Sequence, residues 1–368
     1  MLLDAMGIIL ADNKRIDLGE LINERALAAV PFAGRYRIID MILSSMVHSG
    51  IRHIGIVAET KYSSLMDHIG TGAHWDLDRL QQGLRIIPPY TQSDFFRAPS
   101  PQDLKGLFDF LKHSVQQYVV ISESNLIANM DLGELISAHV DNEADITIMY
   151  DEDGQEYGSP VYSLTFEDNV LTDLLIDADS PVSTTTSLGV CVMTRNLLLD
   201  ILSDSIARGE TIFNVEFLLG KYKELRIEGF KVNKPVLRIN SIATYFSSSM
   251  KLLDVNVWKS LFKSESKVYT KVKNEAPARY LSGNSVVNSL ISDGCDIAGS
   301  VHNSIIFRGV NIGNHCKIEN CIIMQDAQIM DGAELNNVII DKDTVIRAGV
   351  RLQGTREHPV VIGKGVIV

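Results

Sequence analysis

A tetrapeptide that recurs four times near the C-terminal end most restricts how this chain can fold. It reads Asn-Ser-Leu-Ile at 288–291, Asn-Ser-Ile-Ile at 303–306, Asn-Cys-Ile-Ile at 320–323 and Asn-Val-Ile-Ile at 337–340. Around these copies, aliphatic residues follow one another at steps of six, six and five positions. One aliphatic residue in every six, three to a coil, is typical of a hexapeptide parallel β-helix with a central aliphatic column.

Hexapeptide helices often belong to acyltransferases, in which a histidine activates a thiol or an amine, so a second interpretation stays open. Three histidines are candidates by residue type alone: His302, His315 and His358. The sequence shows no acyl-carrier groove beside them. With some four or five coils, the module suits a platform for subunit contacts or regulation better.

The first 250 residues alternate short apolar runs with stretches of helical periodicity, at 37–48 and 102–113. We predict buried strands at 6–10, 53–57, 118–121, 146–149 and 190–193. Strand–helix alternation favours an α/β domain, whose ligands bind at the carboxyl ends of the strands. The predicted organisation is an α/β domain over 1–255, a Lys- and Ser-rich linker over 256–285 and a β-helix over 286–368.

Charge and cysteine content exclude several classes of protein. The 368 residues include 46 acidic and 34 basic side chains, for a net charge of −12, which argues against a protein that binds a nucleic-acid backbone. A local basic pocket for a small phosphorylated ligand remains compatible with this balance. No apolar run approaches a bilayer span, the N-terminus lacks a basic signal-peptide region, and the four cysteines form no CxxC pair. We therefore predict a cytoplasmic protein that binds neither membrane nor nucleic acid.

Four segments carry a resemblance to a known family. Ala-Val-Pro-Phe-Ala-Gly-Arg-Tyr-Arg-Ile-Ile-Asp spans 29–40, and Ile-Gly-Thr-Gly-Ala-His-Trp-Asp-Leu-Asp-Arg spans 69–79. Phe-Arg-Gly-Val at 307–310 and Val-Ile-Ile-Asp-Lys at 338–342 lie in the predicted β-helix. These segments resemble signatures of bacterial glucose-1-phosphate adenylyltransferases (ADP-glucose pyrophosphorylases), and the similarity extends over nearly the whole chain.

The resemblance implies a nucleotidyltransferase-like, Rossmann-like α/β domain with a mixed sheet, followed by a left-handed β-helix. It also implies a place in glycogen synthesis, where the family makes ADP-glucose and pyrophosphate from ATP and glucose 1-phosphate. Such adenylyl transfer needs backbone N–H groups around the triphosphate, positive charge on the transition state, and carboxylates that hold Mg²⁺.

The nucleotide loop departs from the family pattern. After the first strand the family reads roughly Gly-Gly-x-Gly-x-Arg-Leu, whereas residues 11–17 here read Ala-Asp-Asn-Lys-Arg-Ile-Asp. Without the glycines the backbone cannot approach the phosphates as closely. Asp12 and Asp17 would repel a triphosphate. Leu27 replaces a phosphate-binding lysine of the family.

The metal and substrate positions also depart from the pattern. Asn125 and Arg238 stand where the resemblance places the two Mg²⁺-binding aspartates. Asp177 lies in the segment aligned with the Glu-Lys-Pro that holds glucose 1-phosphate, and 99–101 aligns with the Gly-Thr-Ala at the nucleotide base. We therefore expect no catalytic residue and no metal site in this chain.

Joint loss of these motifs implies a non-catalytic, regulatory (D-type) subunit. Its partner would be a catalytic homologue that carries Mg²⁺, and the assembly would be a heterotetramer. Two alternatives stay open: an active nucleotidyltransferase with rearranged metal ligands, and a hexapeptide acyltransferase or scaffold.

Ligand binding without catalysis remains a separate hypothesis. Ser187 and Gly189 match the family's sugar-pocket strand and are candidates for contact with a sugar phosphate. Sugar phosphates and anions commonly act in this family between the catalytic domain and the β-helix. Four arginines are candidate contacts for such an effector: Arg35, Arg37, Arg308 and Arg347.

Overall fold

A computed structural model describes residues 4–88, 104–152, 162–176, 185–263 and 266–368. The N-terminal domain is built on one mixed sheet of nine strands, in the order β5-β4-β1-β6-β11-β8-β12-β10-β9. These strands are β1 (Ala5–Leu10), β4 (His53–Val57), β5 (Gly83–Ile87), β6 (Tyr118–Glu123), β8 (Ile146–Asp151), β9 (Tyr162–Glu167), β10 (Val170–Ile176), β11 (Thr186–Thr194) and β12 (Ile227–Lys231). Two short pairs, β2 (Pro31–Phe32) with β3 (Tyr36–Arg37) and β7 (Leu126–Ile127) with β13 (Leu237–Arg238), lie beside it.

Most of the helices cover the two faces of this sheet, where separate apolar clusters pack, and the last two helices contribute to a third cluster shared with the C-terminal domain. The helices are α1 (Ile38–His48), α2 (Ser63–Ile69), α3 (Lys105–Lys112), α4 (Leu132–Asn142), α5 (Arg195–Arg208), α6 (Val215–Leu219), α7 (Ile242–Lys251) and α8 (Val255–Phe262). Side-chain caps fix several helix starts, for example Asp131 on the Gly133 amide and Asn214 on the Phe217 amide. Three short 3₁₀ turns occupy Gly19–Ile22, Leu27–Ala29 and Ala73–Trp75.

The predicted strands are confirmed, and so is the mixed character of the sheet. β1 is parallel to both β4 and β6, whereas β11 is antiparallel to β6 and β8. The carboxyl ends of β1 and β6 therefore meet the start of β11 at one edge. Glu123, the last residue of β6, lies at this edge, and so do Ser187 and Gly189 of β11. This edge is where an α/β sheet usually holds its ligand.

The C-terminal domain is the predicted left-handed parallel β-helix. Each coil contributes one strand to each of three parallel, five-stranded sheets. The first sheet contains β14 (Arg279–Tyr280), β17 (Asp296–Ile297), β20 (Asn311–Ile312), β23 (Gln328–Ile329) and β26 (Val345–Ile346). The second contains β15 (Ser285–Val287), β18 (Ser300–His302), β21 (Lys317–Glu319), β24 (Glu334–Asn336) and β27 (Arg351–Gln353), and the third contains β16 (Leu290–Ile291), β19 (Ile305–Ile306), β22 (Ile322–Ile323), β25 (Val338–Ile340) and β28 (Val360–Ile362).

The third sheet explains why aliphatic residues are doubled in the recurring tetrapeptide. Ile306, Ile323 and Ile340 belong to the internal column of the β-helix. Their neighbours Ile305, Ile322 and Ile339 point outward, yet they are fully buried in a cluster that also contains Ile16, Leu18, Leu27 and Phe32 of the α/β domain. One residue of each pair fills the β-helix, and the other docks it on the α/β domain.

The predicted linker over 256–285 is more ordered than its composition indicates. It begins inside α8, and its last residues form the first β-helix strands. Between these, the chain crosses α1: the Tyr269 amide donates to Ser44 Oγ at 2.9 Å, and the His48 ring contacts the Lys267 carbonyl at 2.6 Å and stacks on Tyr269. Lys271 reaches Asp67 on α2. The crossing segment is thus fixed against the α/β domain.

Candidate functional site

A buried ion pair fills the sheet edge where the resemblance places the metal. Nη2 of Arg238 lies 3.3 Å from Oε2 of Glu123, and both side chains are almost fully buried. Nη1 of Arg238 donates to the Ser187 carbonyl. Burial raises the pKa of the Glu123 carboxyl, while the Arg238 guanidinium opposes that rise. The positive charge expected of a bound cation is supplied here by the chain itself.

Both candidate sugar-phosphate residues lie beneath this ion pair. Ser187 is fully buried, and its hydroxyl accepts the Gly189 amide at 3.1 Å. Gly189 has φ = +70°, and a Cβ placed there would lie 2.7 Å from Glu123 Oε2. The glycine is needed so that the carboxylate can pack against β11. Ser187 and Gly189 therefore accommodate Glu123 and Arg238.

The residues at the expected metal site do not fit Mg²⁺. Asn125 donates from Nδ2 to Asn240 Oδ1 at 2.6 Å, so the two buried amides bind each other. The Glu123 carboxylate at this place is paired with a guanidinium. Mg²⁺ prefers charged oxygen ligands, and a fixed guanidinium at the same place repels it. Over the described ranges, no group of three or more His, Cys, Asp or Glu side chains could hold a metal ion.

The loop that replaces the family's glycine-rich loop is held by its own side chains. Asp12 accepts the Glu59 amide at 3.0 Å, and Arg15 pairs with Glu216 of α6 at 2.8 Å. Further on, Ile16 and Leu18 enter the apolar cluster between the two domains. Within the loop, the Arg15 amide donates to Asn13 Oδ1 and the Ile16 amide donates to the Asn13 carbonyl, so these two amides are not free to bind a phosphate.

Leu27 lies in that same interdomain cluster and is 4% exposed. The replacement of a family lysine at this position thus adds apolar surface to the domain contact as well as removing a charge. Asp177 and the segment 99–101, which the resemblance aligned with substrate-binding motifs, lie outside the described residues.

A different cavity opens between the two domains. Its volume is about 480 Å³, and residues of the α/β domain, the crossing segment and the β-helix line it. Among the described residues, eight cationic side chains and four carboxylates line this interdomain cavity. The cations are Arg25, Arg35, Arg37, Lys271, Lys273, Arg308, Lys342 and Lys364; the carboxylates are Glu24, Asp67, Asp326 and Asp343.

Hydrogen bonds fix two arginines of the cavity wall, and one of them, Arg25, joins the two domains. Arg25, 3% exposed, pairs with Asp341 of the β-helix at 2.9 Å. Arg37 donates from Nη1 to the Ala29 carbonyl at 3.2 Å and to Ser64 Oγ at 2.7 Å. Burial, assisted by the charge of Arg25, lowers the pKa of Arg37 to about 10. An arginine with a lowered pKa is one whose charge is incompletely compensated.

Three of the four predicted anion contacts meet in this cavity, and one does not. Arg35 and Arg37 lie on one side, and Arg308 of the β-helix faces them. Arg308 donates from Nη2 to the Arg35 carbonyl at 3.3 Å, but its Nη1 is buried without a partner. Burial and the nearby charge of Arg35 lower the pKa of Arg308. Arg347 is exposed and lies outside the cavity.

The histidines of the acyltransferase interpretation are scattered. His302 lies on the outer face of β18, His315 lies at a corner with φ = +59°, and His358 lies in the loop before β28. All three are exposed, and none lines the interdomain cavity.

A nucleotidyltransferase α/β domain joined to a hexapeptide β-helix is the class of protein that this fold defines, and comparison with protein families agrees. Residues 6–161 match the family described as nucleotidyl transferase, and residues 276–359 match the GlmU-like, C-terminal hexapeptide family. No helix among the described residues combines the length and apolarity that a membrane crossing requires.

Relatives that match over nearly the full length identify the family within this class of protein. The chain is 37% identical to the glycogen biosynthesis protein GlgD of Geobacillus stearothermophilus and 33% identical to that of Bacillus subtilis, each over 98% of this chain and 96% of the relative. It is 29% identical to the glucose-1-phosphate adenylyltransferase of Bacillus subtilis, over 85% of this chain and 84% of that protein. The chain belongs to the GlgD family of glycogen biosynthesis proteins, which is related to the glucose-1-phosphate adenylyltransferases.

Sequence reasoning missed two groups of site residues. Glu123 was overlooked, although an arginine at an acidic position of a buried site signals that a compensating carboxylate must lie nearby. The cavity residues Arg25, Lys271, Lys273, Lys342 and Lys364 were overlooked because they are far apart in the sequence. Arg25 and Lys342 lie within or next to motifs that carry the resemblance, and that proximity was the available signal.

Proposed function

We propose that this chain is a non-catalytic, regulatory subunit of a glucose-1-phosphate adenylyltransferase and assembles with a catalytic homologue. The observation that supports the proposal is the Glu123–Arg238 pair, which puts a tethered cation where the resemblance places the metal. A pair that is buried on both sides and also bonded to the Ser187 carbonyl cannot move aside for Mg²⁺ without leaving unpaired charges. The four buried cysteines, all free thiols, are compatible with a reducing cytoplasm.

The test has two measurements. The purified chain is supplied with ATP, glucose 1-phosphate and Mg²⁺, and we expect little or no ADP-glucose. The chain is then co-expressed with a homologue that has an intact glycine loop and both metal aspartates, and we expect one mixed oligomer on size-exclusion chromatography, a heterotetramer. Turnover by the isolated chain at the rate of an ordinary family enzyme would contradict the first expectation, and two separate oligomers would contradict the second.

We propose further that the interdomain cavity binds an anionic effector such as a sugar phosphate. The excess of cations over carboxylates and the unpartnered Nη1 of Arg308 support this role. A ligand here would touch both domains and could bias how the β-helix sits on the α/β domain.

Calorimetry with sulfate and with sugar phosphates tests the site. Arg308→Gln should weaken binding by about tenfold or more, because a charge-assisted hydrogen bond contributes roughly 1.5–3 kcal/mol. Arg347→Gln, an arginine change outside the cavity, is the matched control and should leave binding unchanged. Equal affinities in the two variants would refute the cavity as the binding site.

A further inference from the structure

Lys342 differs from the other cations of the interdomain cavity. It follows β25 directly and is half-buried at the contact of the two domains. The adjacent carboxylate, Asp341, is engaged by Arg25 through its Oδ1 atom at 2.9 Å. Within the described part of the chain, the Lys342 side chain makes no hydrogen bond or ion pair. Lys317 offers a contrast, because it is exposed and paired with Glu334 at 2.8 Å.

These surroundings disfavour the ammonium form of Lys342. Burial, followed by the charges of Arg37 and Arg25, lowers its pKa to about 7, although Asp341 acts in the opposite direction. An ordinary lysine, with a pKa near ~10.4, is almost wholly protonated at neutral pH. Lys342 therefore presents a large fraction of neutral amine, which is the nucleophilic form.

We propose that Lys342 is an acylation site that accepts the acyl group of an acyl phosphate bound in the interdomain cavity. The inference depends on the anion-binding role proposed above, since the cavity's cations would hold the phosphate part of the reagent. Arg37 and Arg308 line the same cavity as the Lys342 amine, and Nη1 of Arg308 has no partner. Binding would thus place the phosphate of the acyl phosphate beside these arginines. The carbonyl carbon of the same reagent would then lie beside the Lys342 amine.

The reaction balances without any further reagent. The Lys342 amine attacks the carbonyl carbon and forms an N–C bond. The bond between that carbon and the bridging phosphate oxygen breaks, and inorganic phosphate leaves with the electron pair. The proton of the amine passes to phosphate or water. The product is a neutral amide, so acylation removes one cation from the cavity and lowers its affinity for anions.

Acetyl phosphate is the probe for the experiment. The full-length protein is incubated with it near neutral pH, and acetylation of each lysine is followed by peptide mass spectrometry. We expect Lys342 to be acetylated at least about tenfold faster than Lys317, given the difference in neutral amine. Sulfate should slow the reaction at Lys342 and leave Lys317 unaffected. Lys342→Arg replaces the amine by a guanidinium, so acetylation at position 342 should be lost while the Lys317 rate is unchanged.

A phosphate-free reagent, N-acetoxysuccinimide, separates the two proposals. If calorimetry shows sulfate binding but acetyl phosphate modifies Lys342 and Lys317 at equal rates, the acylation proposal is wrong. The proposal of anion binding in the cavity would then still stand. If sulfate does not bind and Lys342 reacts rapidly with both reagents, the cavity is not an anion site. The proposal that bound phosphate positions the reagent would then be wrong as well. A preference for Lys342 that is larger with acetyl phosphate than with N-acetoxysuccinimide supports the proposal.

Discussion

The sheet edge around Arg238 and the interdomain cavity both place arginines inside the protein, but their charge balance is opposite. At the sheet edge, Arg238 is matched by one carboxylate, Glu123, and by the Ser187 carbonyl. In the cavity, eight lining cations face four lining carboxylates and Asp341, which pairs with Arg25, and Arg308 keeps a buried donor without a partner. A buried charge that is paired serves structure, whereas an excess of one sign needs a counter-ion from outside. The comparison favours the domain contact over the sheet edge as the site of the anion binding proposed above.

The largest effect should come from breaking the pair at the sheet edge. Glu123→Ala leaves Arg238 buried and uncompensated, which should lower the free energy of unfolding by about 3–5 kcal/mol. The control is Glu152→Ala, which breaks the exposed pair with Lys231 and should cost at most about 1 kcal/mol. Urea denaturation monitored by fluorescence measures both.

A double variant sharpens that result. Replacing Glu123 and Arg238 together by methionine removes both charges, so the loss should be smaller than for Glu123→Ala alone. A double variant that is less stable than Glu123→Ala would show that the ion pair is not the reason for the cost.

The second effect concerns the outward row of isoleucines that docks the β-helix. Ile339→Ala removes a side chain that is fully buried between the domains, and should lower the free energy of unfolding by about 2–5 kcal/mol. Val287→Ala lies on a different sheet of the β-helix at 55% exposure and should change stability by no more than about 0.5 kcal/mol. Similar losses from the two variants would contradict the docking role of the third sheet.

A smaller effect is expected from pH on the interdomain cavity. Because the pKa of Lys342 lies at about 7, this side chain is charged at about pH 6.2 and largely neutral at about pH 8. Sulfate keeps its charge across this interval, so its affinity should fall by about tenfold as the pH rises. His68 also lines the cavity, and burial lowers its pKa below the usual value, so it adds little above neutral pH.

Lys342→Met serves as the control for the pH series, and its sulfate affinity should be low and nearly flat over the same interval. A variant that keeps the full pH dependence would assign the titration to another group, and the expected role of Lys342 would be wrong.

The smallest effect, close to zero, should follow from Asn125→Asp. The new carboxylate would face Asn240, while Arg238 remained paired with Glu123. Because residues that act as a unit are not additive, this single change should restore no measurable ADP-glucose synthesis. A recovery of family-level activity would mean that the sheet edge is a nearly intact active site.

The sequence by itself determined both domains, because their signals are local and periodic. Aliphatic residues six apart predict a β-helix coil wherever they occur, and the strands at 53–57 and 118–121 are contiguous apolar runs. The resemblance also located Asn125 and Arg238 as altered positions, since both lie in or beside short motifs. Arg35, Arg37, Arg308 and Arg347 were predicted as candidate anion contacts, and the first three line the cavity.

Only the tertiary structure decided what those residues do. Glu123 and Arg238 are 115 positions apart, and their pairing depends on the fold that brings β13, which pairs with β7, beside the end of β6. Leu27 was interpreted as a lost charge, and the fold makes it part of a domain contact. Lys342 is an ordinary lysine in the sequence; its lowered pKa arises from burial and from Arg37 and Arg25 on the other domain. Charge compensation is a property of distances in space, and spacing along the chain does not encode those distances.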